Sequence, residues 1–150
     1  MPTHLDLKGM IDVSSVHTRY EFTHEIEPLM ATVHPEPCWI IEPIGCRIAS
    51  TEGVSQMYQR MFPLIGAMAN PEVVNTWFAE DGFIGEVRIS KPSNDGTVHC
   101  SSQFAWCEFN GDLISGEGNY FDEGDVGYAA HALGEDFFRL PGVTVTPRDI

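Results

Sequence analysis

From Ser14 to Val33 the apolar residues Val16, Tyr20, Ile26, Leu29, Met30 and Val33 recur at helical spacings. Pro28 lies inside this stretch and either kinks the helix or separates two short ones. His34-Pro35-Glu36-Pro37 ends it, because residues before proline avoid the helical region. Cys38-Trp39-Ile40-Ile41 reads as a short strand stopped by Pro43, and Ile44 to Ser50 as a loop. Ser50 and Thr51 then supply capping groups for a second helix from Val54 to Phe62, with Val54, Met57, Tyr58 and Met61 as its buried stripe.

The second half changes period. Val73–Glu80 is rich in β-branched and aromatic residues, and Asp81-Gly82 turns it into a second strand, Phe83–Ser90. A loop from Lys91 to Gly96 leads to a long strand, Val98–Phe109. Asn110-Gly111 is the strongest hairpin signal, followed by Leu113–Asp122 and a short helix from Asp125 to Leu133. Helices first and antiparallel strands afterwards give an α+β fold, a curved antiparallel sheet wrapped around N-terminal helices as a cone-shaped α+β barrel. Such a cone has an apolar floor suited to a ligand. The domain is expected over residues 14–133, with a lead-in at 1–13 and a tail at 134–150 packed on a surface or a partner.

Composition narrows the partners. With 22 Asp and Glu against 8 Lys and Arg, the formal charge is −14. So few cations exclude a phosphate-backbone binder and disfavour anionic membranes and substrates. A hydrophobic content of 43% argues against disorder. No apolar run reaches the roughly 18 residues of a membrane helix. The opening MPTHLDLKGMIDVSS lacks a basic segment followed by an apolar core, so no signal peptide is expected. Cys38, Cys46, Cys100 and Cys107 form no CxxC pair, and free thiols in a cytoplasmic protein are the expectation.

The segments HEIEPLMATVHPEPCW, TEGVSQMYQRMFP and EFNGDLISGEGNYFDEGD, in that order and spacing, resemble the SnoaL-like branch of the nuclear transport factor 2-like superfamily. The resemblance implies the cone fold, pairing of two copies through the outer face of the sheet, and a pocket for a small hydrophobic molecule. It also implies cofactor-independent acid/base chemistry (cyclisation, isomerisation, dehydration or hydration) on a polyketide-, terpene- or steroid-like compound. The same superfamily holds non-catalytic ligand-binding and dimerisation modules, so the fold leaves activity open. Phe109 and Phe121 are the expected apolar residues of a pairing surface.

Four residues are the expected catalytic groups. SnoaL-like cyclases use an acid near the end of the sheet, and Asp122 in YFD is the nearest match. Gly116, Gly118, Tyr120 and Asp122 share one strand face, where two glycines leave room for a ligand; Glu117, Asn119 and Phe121 share the other. Tyr20 and His24 are four apart on one helix face, and His99 is either a lumen group or outward-facing. Tyrosines, histidines and an aspartate also serve in the similar scytalone dehydratases. Trp39, Tyr58, Phe62, Trp77, Phe104, Trp106 and Tyr120 are the expected ligand-binding aromatics. No metal or cofactor is expected, since HxH, HxxxH and HExxH spacings and nucleotide fingerprints are missing.

Overall fold

A computed structural model describes residues 4–66, 69–92 and 96–146. The first helix, α1, runs Leu7–Thr23. It begins earlier than the apolar pattern indicates because Asp6 caps it, its carboxylate accepting from the Gly9 amide at 2.8 Å. His24 ends it in the left-handed region with φ 58°, and α2, Ile26–Met30, follows as a separate short helix. The chain does divide into two helices, but the break falls at His24, four residues before Pro28, which lies inside α2.

Strand β1, Val33–Glu42, takes in the proline-rich segment expected only to stop the helix. Its pairing with a neighbour is irregular between Val33 and Cys38, where Pro35 and Pro37 have no amide to donate. The expected loop contains β2, Cys46–Ile48. Helix α3, Thr51–Gly66, buries the expected stripe of Val54, Met57, Tyr58 and Met61, with Phe62 beside it. Then come β3 (Ala69–Phe78), β4 (Gly82–Pro92), β5 (Val98–Asn110) and β6 (Leu113–Tyr120). The expected turn at Ser93-Asn94-Asp95 lies outside the described residues.

The sheet is curved and unclosed, in the order β3-β4-β5-β6-β1-β2-β7, where β7 is Val143–Val145. It is mixed rather than purely antiparallel: β1 and β6 run parallel, with Trp39 opposite Glu117. Helix α4, Glu123–Leu133, packs against α3.

The segment beyond α4 is more integral than an appendage. Phe137 is wholly buried in the main core. Strand β7, Val143–Val145, extends the sheet beside β2. Arg60 clasps Asp136 with two hydrogen bonds of 2.9 and 2.8 Å, which hold that carboxyl down at about 2. All four cysteines are free thiols, and burial raises Cys46 to about 11.

Candidate functional site

Helix α1 turns a polar stripe inward. Met10, Ser14, His17 and Glu21 follow one another at spacings of four, three and four, one face of a helix. Ser14, His17 and Glu21 line a cavity of about 520 Å³. From α3 come Met57, Tyr58 and Met61; from the inner face of β4, Phe83, Gly85, Val87 and Ile89. Strand β5 adds Gln103, Ala105 and Cys107, and β6 adds Glu117 and Asn119, with Phe121 just beyond it.

His17 and Glu21 of α1, Tyr58 of α3 and Glu117 of β6 converge there, with Thr32, Trp39 and Asn119 as their partners. His17 Nδ1 lies 2.6 Å from Thr32 Oγ1, and Nε2 lies 2.8 Å from the Tyr58 hydroxyl. Tyr58 donates to Glu117 Oε2 at 2.9 Å and accepts from the Trp39 indole at 3.1 Å. Asn119 donates to the other Glu117 oxygen at 3.0 Å. Glu21 Oε1 and Glu117 Oε2 lie 3.6 and 3.7 Å from His17 Nε2.

Among the described residues no Lys or Arg lines the cavity, so none of them sets a fixed cation beside these acids there. Burial pushes the Glu21 carboxyl well above its usual range, and the Glu117 charge adds to that push. Burial likewise raises the Tyr58 phenol and lowers the His17 imidazole. Glu21 is therefore a candidate proton donor and His17 a neutral ring.

His17, Glu21 and Glu117 are also the one set among the described residues whose ligand atoms are close enough to hold a divalent cation, all within 4.8 Å. A metal on Nε2 would have to break the bond to Tyr58.

The expected catalytic residues sit elsewhere. Asp122 caps α4, accepting from the Asp125 amide at 3.0 Å. His99 is brought near it, with Nε2 4.0 Å from Asp122 Oδ2, but its side chain is 55% exposed. His24 does not continue the helix face of Tyr20, because its left-handed backbone turns it out to stack on Phe62 at 4.9 Å. Tyr20 is half-buried against the core, with Arg19 over its ring. None of the four lines the cavity.

Of the expected aromatics, Tyr58 and Trp106 line it. Trp39 and Phe62 are core residues, Trp39 reaching the site through its bond to Tyr58. Trp77, Phe104 and Tyr120 are 52%, 43% and 46% exposed. Phe109 and Phe121 are not outer residues: Phe109 is buried and Phe121 lines the cavity.

The space left by Gly116 and Gly118 is filled by the chain itself. A Cβ on Gly118 would fall 1.8 Å from Trp106 Nε1, and one on Gly116 2.8 Å from the same indole. The opposite face of β6 meets the cavity, with Glu117 on it.

No family model matches the sequence, and no curated protein matches it. Solved structures do match in shape. An NTF2-like protein of unknown function from Cytophaga hutchinsonii superposes with a TM-score of 0.60 at 14% identity, covering 74% of this chain and 97% of that one. The fold is that of the NTF2-like proteins. A putative isomerase from Rhodopseudomonas palustris matches at 0.60 and 13% identity, over 82% and 96% of the two chains. An epoxide hydrolase of M. tuberculosis, described as LEH-like, matches at 0.60 and 11% identity, over 81% and 89%. Identities this low establish an NTF2-like architecture and leave the reaction to the site. No helix among the described residues is long and apolar enough to cross a membrane.

Proposed function

We propose that the cavity carries out cofactor-independent proton transfer on a small hydrophobic molecule, with Glu117 as base and Glu21 as acid. The supporting observation is a proton count. Leu29 O, Thr32 Oγ1, His17, Tyr58 Oη and Glu117 form a chain of four contacts of 2.6 to 2.9 Å. Both ends of that chain, a carbonyl and a carboxylate, only accept. Each contact needs a proton. Thr32, neutral His17 and Tyr58 carry one each, so the network is one proton short while Glu117 is ionised.

Taking up a proton completes it. Glu117 removes a proton from a carbon next to a carbonyl; the C–H electron pair becomes the enol C=C bond, and the carbonyl π pair moves to the oxygen. Glu21, held protonated by burial, donates to that oxygen. The captured proton is then shared along the chain: the Glu117 hydroxyl donates to Tyr58 Oη, and Tyr58 donates to His17 Nε2. This step is common to isomerisation, cyclisation and dehydration, the reactions the SnoaL-like resemblance implies. A pure dimerisation module of the fold has no use for an open cone, whereas about 520 Å³ is open here.

The test follows exchange of the α-protons of 2-tetralone and related apolar ketones into deuterated buffer by NMR. Wild type is expected to exceed the buffer rate and Glu117→Gln to fall back toward it. Equal rates for the two proteins across the ketones would sink the reading.

Pairing of two copies through the sheet is proposed on different residues from those first expected. Trp77, Ile84, Phe104 and Tyr120 are the exposed apolar residues of the outer face. Sedimentation of wild type against a Phe104→Ser, Tyr120→Ser double variant tests it; a monomeric wild type removes it.

A further inference from the structure

The relay is not the only polar feature of the cavity. Gln103 lines it from β5, and its side-chain oxygen is enclosed with no hydrogen-bond partner. Around it the cavity is apolar: Val87 lies opposite Gln103 on β4, and Ile89 and Ala105 are its lining neighbours. An enclosed acceptor in such surroundings is a persistent cost unless something supplies a proton donor. A half-turn of the terminal amide exchanges its oxygen and nitrogen, so the acceptor can be presented to the cavity without moving the strand.

Gln103 is also remote from the relay. Cys107 is the β5 residue opposite Glu117, and Gln103 lies four residues before it, about 13 Å along the strand at roughly 3.3 Å per residue. Between the two lies the apolar lining of β4 and β5. At the mouth, Phe22 of α1 and Val73 of β3 are 42% and 65% exposed and still line the cavity. Entry is thus past apolar groups, toward the relay and Gln103, with Ser14, Thr18, Thr76 and Asn119 as further polar lining groups.

We propose that Gln103 forms a second binding point, and that the cavity selects an uncharged, largely apolar compound with a carbonyl at one end and a hydroxyl or N–H donor at the other. This rests on the acid/base reading for which end reacts: the carbonyl sits at Glu21 and Glu117, and the distant donor is accepted by Gln103. Anionic compounds are turned away by the ionised Glu117, with no lining cation among the described residues to offset it.

The experiment uses three probes on one bicyclic frame: 2-tetralone, 6-hydroxy-2-tetralone and 6-methoxy-2-tetralone. Calorimetric affinities are measured for wild type, Gln103→Leu and Gln103→Met. Wild type is expected to bind the hydroxy ketone about tenfold tighter than the other two, the size of one well-placed hydrogen bond. Both variants are expected to lose that preference while keeping their affinity for 2-tetralone. They are also expected to melt no lower than wild type when empty, because an unpartnered polar group has been removed; a purely structural glutamine would give the opposite shift. No preference in wild type, or an undiminished preference in both variants, overturns the proposal. Failure of the acid/base reading is separately visible: the hydroxy preference would persist in wild type with no α-proton exchange above buffer.

Discussion

Along β5 and β6 the inner face places Gln103, Cys107 and Glu117 on the cavity, while the outer face carries Phe104 and Tyr120 toward solvent. Two large aromatics stand on the wet side of strands whose enclosed side holds an amide and a carboxylate, against the usual preference. Carboxylates show the consequence. On β4, Glu86 accepts from Asn75 on the outer face, an exposed partnership of little energetic weight. Glu117 accepts from Tyr58 and Asn119 inside the cone, where low polarity strengthens each interaction and makes proton position matter. The same side chain is a surface group on one face and, on the proposed reading, the base on the other.

The largest expected effect breaks the inner face. Glu117→Gln should slow ketone α-proton exchange by about 100-fold or more, the usual contribution of a positioned base, read by NMR with the fold checked by circular dichroism. Tyr58→Phe comes next. It leaves His17, the Trp39 indole and Glu117 each short of a partner, so urea titration should show a loss of about 1–3 kcal/mol together with reduced exchange.

On the outer face, Gly118→Ala is expected to cost about 1–3 kcal/mol by forcing Trp106 aside, since the new methyl would overlap its indole. Activity should suffer less than stability, the opposite of Glu117→Gln.

Glu21→Gln sharpens the comparison through pH. The folded-state pKa of Glu21 lies above its ordinary value of 4.5, so the folded chain binds the proton more tightly than the unfolded one. Stability then falls as pH rises from the ordinary value through the raised one. Replacement by Gln removes that penalty, and its gain in melting temperature should be larger at pH 8 than at pH 5. The smallest effect is Arg88→Ala, which deletes an exposed 3.4 Å pair with Glu72 and should change stability by about 0.5 kcal/mol or less.

How much of this was legible depends on which signal each element carries. Helix α3 shows its buried face through apolar spacing, and Asn110-Gly111 announces the β5–β6 turn, so both are readable. Helix α1 misleads, because its inward stripe is Ser14, His17 and Glu21 while Val16 is 37% exposed. Apolar periodicity cannot find a polar stripe that faces a cavity. A search for His, Glu and Ser at spacings of three and four would have found it. On β6 the alternation of faces was readable, but which face met the cone depended on Trp106, a cross-strand neighbour, filling the glycine gap. Strands β2 and β7 are three residues each, too short for alternation to register. The parallel pairing of β1 with β6 is non-local and leaves no mark in either segment.

That pairing has a consequence for how the protein is made. A chain leaving the ribosome offers His17, Trp39 and Tyr58 early, whereas Glu117 belongs to the strand opposite Trp39 and lies 78 residues beyond that tryptophan. Until β6 docks, one side of β1 stays open and the proton chain lacks its terminal acceptor. Such distant pairing is entropically slow to form. On the proposed reading the base arrives only when β6 docks, and nascent or truncated chains that end before the last hairpin lack it.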